Sequence, residues 1–352
     1  MSTRIVPATL ADVPALADVL ARSFDGYPLI TWPLLIDDDA GDRIRDMFLW
    51  LDMDMTGEGW TWRTQDGAGV MALIPPDGTA RMVELDRVTG PRIGGLAPDG
   101  GARYSAFWDW VLAGFPDEPN WFIDHLGVDP ARQGDGVGSS LLRFALGKAS
   151  ADRLPLFLET GRERNVDYYT RFGFEVFRDD DAPGGGPHVW FMRRDPGRRA
   201  ARVVVVDRRQ RVLLFGYRNP TTGKEVWATT GGGIEPGESP EGAARREFRE
   251  ETEHDAPAAL GPIVWRRVVS IEWGGERQAQ DEVFFFVRLD DLTISAAHVA
   301  TLASEGVIGC RWLTLEEIRS AQGVEVAPSN LAQLGEDLLE EGRPAQPIDV
   351  GL

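Results

Sequence analysis

Three glutamates, Glu247, Glu250 and Glu251, stand at i, i+3 and i+4 in the run SPEGAARREFREETEH, residues 239–254. On an α-helix this spacing places three carboxylates on one face. Like charges so placed repel, so a stable helix implies something positive among them. Hard divalent cations take oxygen ligands, and Mg²⁺ is the usual one at a site that processes phosphates. A fourth carboxylate, Glu238, precedes the helix in the segment GGGIEPGE, read as a glycine turn. Ser239 is a good N-cap, and Pro240 suits the first helical position, where its missing N–H costs nothing.

A second set of groups lies in NWFIDHLGVDPARQGDGVGSS, residues 120–140. Residues 121–128 read as a strand, Asp129-Pro130 as a turn, and a helix begins near Ser139 with Leu141, Leu142 and Ala145 inward. The glycines of 133–138 let backbone amides face an anion, and the following helix adds its positive end. A pyrophosphate suits that arrangement. The spacing differs from GxGxxG, and no βαβ unit is expected around it. Asp124, His125 and Glu159 are candidate bases, of which only one of Asp124 and His125 faces the site if the strand alternates regularly.

Two family resemblances follow from these motifs. Gly232, Glu238, Arg246, Glu247, Phe248, Glu250 and Glu251 fall in register with the signature of the Nudix hydrolases. This resemblance implies that Glu247, Glu250 and Glu251, with Glu238 from the loop, hold Mg²⁺ or Mn²⁺, and that Arg246 orients them. It implies hydrolysis of a diphosphate linkage in a nucleoside diphosphate derivative. Glu250 is then a candidate base, with Glu276, Glu282 and Glu305 as alternatives. The pattern departs from the family at Glu253 and His254, where a glycine and an apolar residue are expected. Without that glycine the helix is expected to run on to Ala256, before Pro257.

Gln133, Gly136 and Gly138 resemble the Q/R-x-x-G-x-G/A pattern of the GNAT acyltransferases, and Asn165, Tyr169, Gly173 and Phe174 resemble that family's N-x-x-x-Y-x-x-x-G-F segment. Acetyl-CoA is thereby implied as co-substrate and a small-molecule amine as acceptor. The backbone of Leu126 and Val128 would pair with the pantetheine arm, Gln133, Gly134, Gly136, Val137 and Gly138 would hold the pyrophosphate, and Asn165 would assist. Tyr169 would protonate the leaving thiolate.

At 352 residues the chain is long enough for two cores. The fold class expected is mixed α+β: a GNAT-like domain over 1–195, a basic Pro-Gly linker over 196–201 (the stretch 192–199 being the basic part), and a Nudix-like α/β/α sandwich over 202–352. Residues 60–63 and 70–74 read as a hairpin, and so do 203–206 and 212–215. Residues 77–118 read as glycine- and proline-broken apart from a helix over 104–115. A net charge of -19 repels phosphate backbones, which argues against duplex nucleic acid as the main partner. The single cysteine, Cys310, excludes an intrachain disulfide. No apolar run of membrane length and no signal peptide is read, so a cytoplasmic protein is expected. A different reading is a sensor that keeps one ligand pocket without its chemistry.

Overall fold

The computed structural model describes residues 4–36, 41–290, 292–320 and 325–351, and Arg277 by its backbone only. The backbone divides into two compact units, Met1–Pro196 and Gly197–Leu352, each with its own sheet.

In the first unit, β1 (Ile5–Pro7) leads into three helices, α1 (Val13–Ser23), α2 (Pro28–Thr31) and α3 (Gly41–Gly57). Asp12 accepts hydrogen bonds from the Thr9 N–H (2.9 Å) and hydroxyl (2.7 Å), which fixes the entry to α1. Hairpin strands β2 (Thr61–Thr64) and β3 (Gly69–Ile74) follow, then α4 (Thr79–Gly94) and α5 (Ala102–Leu112). Helix α4 corrects the reading of 77–118 as broken: Pro91 lies inside it, and the helix carries the ring without ending there. The remaining elements are β4 (Trp121–Val128), α6 (Val137–Asp152), β5 (Leu156–Thr160), α7 (Glu163–Thr170), β6 (Glu175–Asp181) and β7 (His188–Arg194).

The sheet order is β1-β2-β3-β4-β5-β7-β6, antiparallel except where β4 and β5 run parallel. Strands β4 and β5 flank α6, so a βαβ crossover does surround the glycine loop, contrary to expectation. The parallel pair is short. Trp121 meets Leu156 and Phe122 meets Phe157, after which the strands part.

In the second unit, β8 (Arg198–Val206), β9 (Arg211–Arg218) and β10 (Glu225–Gly233) precede α8 (Pro240–Thr252). The linker is therefore shorter than expected, because residues 192–194 close β7 and 198–206 already pair with β12 (Glu276–Arg288). Only residues 195–197 separate the strands. Nor do β8 and β9 form a full hairpin. They touch at Val206 and Val212, and β10 enters between them, pairing first with β9 and then with β8. The three glycines 231–233 thus end a strand rather than make a turn.

Strand β11 (Trp265–Trp273) makes a hairpin with β12. Helix α9 (Ala296–Thr301), β13 (Val307–Thr314), α10 (Leu315–Ser320), β14 (Glu325–Ala327), α11 (Leu331–Glu340) and β15 (Ile348–Asp349) complete the unit. Alternation along β8 sends Val203 and Val205 toward Ala244 and Phe248 of α8, and Val204 and Val206 toward Leu331 and Leu338 of α11. The result is an α/β/α sandwich. Cys310 is half-buried in β13, and burial holds its thiol above the ordinary range.

Candidate functional site

Helix α8 begins as its sequence requires: the Ser239 hydroxyl accepts from the Gly242 N–H at 3.0 Å, and Pro240 takes the first turn. It does not run on to Ala256. It stops at Thr252, because Glu253 itself adopts the left-handed conformation, at φ 59°. A side chain in that conformation costs about 1–2 kcal/mol where glycine costs far less. Glu253→Gly is therefore expected to raise the stability of the second unit by about 0.5–1 kcal/mol, measured by chemical denaturation. The exposed Glu253–His298 ion pair lost with it contributes little.

The positive charge among the carboxylates is Arg246. Its guanidinium donates to both Glu238 oxygens (3.1 and 3.0 Å), to Glu247 (2.8 Å), to Glu250 (3.1 Å) and to the Gly233 carbonyl (2.8 Å). Glu238 also accepts from the Glu235 N–H, so it anchors Arg246 and the loop rather than standing beside the other three. Glu247 packs against Gly232 so closely that a Cβ there would lie 2.5 Å from the carboxyl carbon. The glycine makes a cradle for that carboxylate.

Glu251 turns inward. Tyr217 donates to its Oε1 at 2.7 Å, while Thr230 and the Gly231 N–H (2.9 Å) donate to Oε2. Sequence reasoning named neither Tyr217 nor Thr230, since each is an ordinary strand residue until the helix is docked. Burial, with Glu250 and Glu305 adding their charge, holds the Glu247 carboxyl above its usual range. Burial does the same to Glu251. Among the described residues, no three His, Cys, Asp or Glu side chains are gathered as a finished metal cage. The donors nonetheless suit a hard dication: one guanidinium faces three carboxylates, and Glu247 and Glu250 each keep one oxygen with no protein donor among the described residues.

The alternative bases separate by position. Glu282 is excluded, since it is buried in β12 with Oε1 bonded to Arg202 (2.7 Å) and Oε2 to Arg267 (3.1 Å). Glu276 sits at the β11–β12 hairpin tip opposite Trp273. Glu305 lies near enough to Glu247 to act on its charge.

In the first unit, β3 pairs with Ile123 and His125 but skips Asp124. This bulge corrects the expectation that the two neighbours point apart. The His125 Nδ1 lies 2.8 Å from Asp124, and its Nε2 lies 3.3 Å from Asp52, so both carboxylates attend one ring. Burial opposes charge on this imidazole, yet Asp52 and Asp124 override it, and its pKa is pushed up to about 10. His125 is thus a cation at neutral pH and no base. Its stabilisation is complete below the unfolded value of 6.5 and is lost as pH rises toward 10. The melting temperature of the first unit should fall across that window, and more steeply than in a His125→Gln variant, as read by calorimetry.

Beyond Phe122 the β4 edge facing β5 is released, as an arm-binding edge requires. Val128 is less available than expected: its N–H donates to Ser23 (3.1 Å), and its carbonyl accepts from the Gln133 side chain (3.3 Å). Gly136 caps α6 in the left-handed conformation, φ 82°, next to open space. Helix α6 starts two residues earlier than expected, which puts Val137 and Gly138 in its first turn. Asn165 donates to Thr160 (3.0 Å), whose hydroxyl also meets that of Tyr27 (3.0 Å). Tyr169 packs on Tyr168 and Phe174, and its hydroxyl is pushed well above its usual range by burial first, then by Tyr27, Tyr168 and Glu159. Glu159 is raised well above a carboxylate's usual range by burial and by Asp124.

Comparison with known proteins agrees with this division. Residues 97–174 match the family model described as Acetyltransferase (GNAT) family, and residues 196–334 match that described as NUDIX domain. Among solved structures, the chain is similar to the histone acetyltransferase HPA2 and related acetyltransferase from Corynebacterium glutamicum. Identity there is 22% over 56% of this chain and 97% of that one, with a TM-score of 0.40. It is also similar to the MutT protein from Methanosarcina mazei, at 19% identity over 42% of this chain and 96% of that one, TM-score 0.31. A NUDIX hydrolase from Nitrosomonas europaea matches at 20% identity over 42% and 91%, TM-score 0.30. The two family matches make the chain a GNAT-type acetyltransferase domain followed by a Nudix hydrolase domain, a bifunctional acyltransferase and hydrolase. Among the described residues no helix is long and apolar enough to cross a membrane.

Proposed function

We propose that the second unit hydrolyses a diphosphate linkage in a nucleoside diphosphate derivative with Mg²⁺ or Mn²⁺, and that the first transfers an acetyl group from acetyl-CoA to a small-molecule amine. The observation that carries the first half is the crowding of Glu247, Glu250 and Glu251 around one guanidinium. When bound, the dication would supply charge neutralisation at the phosphate oxygens. Glu247 and Glu250 would hold it with their uncommitted oxygens. Glu251 would join through Oε1, since a carboxylate oxygen accepting one hydrogen bond keeps a lone pair. Tyr217, Thr230 and the Gly231 N–H orient that carboxylate, as outer partners of metal ligands commonly do. Glu250 is placed to take the proton from the attacking water, and Arg246 keeps the carboxylates aligned.

In the first unit, Glu159 takes the proton that the attacking amine loses, its raised affinity for protons suiting a base that works near neutrality. A carbon–nitrogen bond forms as the carbon–sulfur bond breaks. Tyr169 gives its proton to the departing sulfur. Leu126 on the released β4 edge would meet the pantetheine arm, and Gly134, Gly136, Val137 and Gly138 would face the pyrophosphate. With Gln133 already bonded to Val128, its part is to shape that loop.

Mg²⁺-dependent release of phosphate-containing products from a panel of nucleoside diphosphate derivatives tests the hydrolase. Calorimetry with acetyl-CoA tests the transferase. Ligand binding in both units without turnover on any substrate would favour a sensor instead.

A further inference from the structure

We infer that the acetyl acceptor of the first unit carries at least two cationic amines, one received between Asp124 and Glu159 and the second by Asp86 and Asp109. This rests on the acetyl-transfer reading above and adds the class of acceptor.

Four elements contribute the carboxylates: α4 gives Asp86, α5 gives Asp109, β4 gives Asp124 and β5 gives Glu159. The register that pairs Phe122 with Phe157 brings Asp124 level with Glu159 two residues on, where the strands have parted. Phe115, just beyond α5, stacks on both Phe122 (5.1 Å) and Phe157 (5.8 Å), so the end of α5 covers this face of the sheet. Tyr104, on α5, is buried, and burial together with Asp86 and Asp124 pushes its hydroxyl above the usual range. It lies within reach of carboxylates on two other elements.

An excess of acidic side chains does not by itself make a site. The independent sign is Glu159: its Oε2 is buried and has no hydrogen-bond partner among the described residues. An orphan buried acceptor costs about 1–3 kcal/mol, and a donor brought by a ligand removes that cost. Compensating cations are also missing. Among the described residues neither Asp86 nor Asp109 makes an ion pair, and the single imidazolium of His125 is shared between Asp124 and Asp52.

The charges are graded by depth. Asp86 and Asp109 are exposed, Asp124 is half-buried, and the Glu159 Oε2 is enclosed. One ammonium at the floor would leave the outer pair facing each other uncompensated. Burial and the charges of Asp109 and Asp124 hold the Asp86 carboxyl above its ordinary range, the mark of that crowding. A second ammonium on the same molecule offsets it.

The test uses the full chain with CoA at neutral pH and compares the α,ω-diamine cadaverine with pentylamine by calorimetry. The diamine should bind at least about tenfold more tightly, about 1.4 kcal/mol. In an Asp86→Asn, Asp109→Asn double variant, both changes being isosteric and exposed, that advantage should shrink below about twofold. Equal binding of the two amines, or an advantage untouched by the double variant, overturns the inference. The acetyl-transfer reading fails differently. If the diamine binds as described but acetyl-CoA gives no heat, the acidic pocket stands and the transfer assignment falls. If acetyl transfer runs equally well to both amines, the transfer stands and the dication preference falls.

Discussion

Glu247→Gln is expected to lower metal-dependent hydrolysis by at least about 100-fold in kcat/KM. Losing a residue that merely supports a metal ligand already costs about 10- to 100-fold, and Glu247 is proposed to be a ligand itself. The amide keeps the shape that fits beneath Gly232 and can still accept from Arg246, so the fold should survive. What disappears is the negative charge. A companion variant separates placement from charge: Gly232→Ala puts a methyl group 2.5 Å from the Glu247 carboxyl carbon and must displace it. That variant should lose activity comparably while every carboxylate remains. Steady-state assays on the same diphosphate substrate decide both; full turnover in Glu247→Gln would remove the site from α8.

The largest expected effect on folding lies at a group with no part in the chemistry. Glu282 is 2% exposed and bridges Arg202 and Arg267 within the sheet of the second unit. Removing one partner of a buried ion pair typically costs about 3–5 kcal/mol, because the charges left behind have no water to return to. Against a total of about 5–15 kcal/mol for a domain, Glu282→Ala should leave this unit barely folded. The penalty is sharpened by Arg267, whose guanidinium burial already disfavours. Replacing all three side chains with apolar ones of similar size should restore much of the loss, and thermal denaturation of the three proteins measures it.

The pH dependence has a definite sign. Burial opposes the Glu282 charge, but Arg202 and Arg267 outweigh it and hold the carboxyl below its ordinary value of 4.5. Its stabilisation is therefore complete above that value and is lost as pH falls through the depressed one. His125 works in the opposite direction at the alkaline end.

These two groups show what could be read from sequence. The helix of carboxylates was legible because its signal is local: a cap, a proline and a spacing of three and four. Strand β4 was equally plain from its apolar run between Asn120 and the Asp129-Pro130 turn. Glu282 looked like a candidate base, because nothing in its neighbourhood says that two arginines from other strands will enclose it. The bulge at Asp124 depends on a partner strand fifty residues upstream. Strand β10 enters between β8 and β9 for the same kind of reason, as long-range pairing overrides an apparent hairpin. Helix α4 was hidden by Gly90 and Pro91, and Asp86 was hidden with it.

The left-handed residue after α8 teaches the converse. The departure from the family pattern at Glu253 was visible, but its consequence was not. The backbone keeps the turn and accepts the strain of a side chain there, so the helix ends where a glycine would have ended it.

The central claim is that Glu247, Glu250 and Glu251 together receive a divalent cation at the end of β10. Crystals soaked in Mn²⁺ and measured at its absorption edge address this directly. An anomalous peak in contact with the Glu247 and Glu250 carboxylates is the result expected. A map with no peak there at saturating Mn²⁺ would contradict the account.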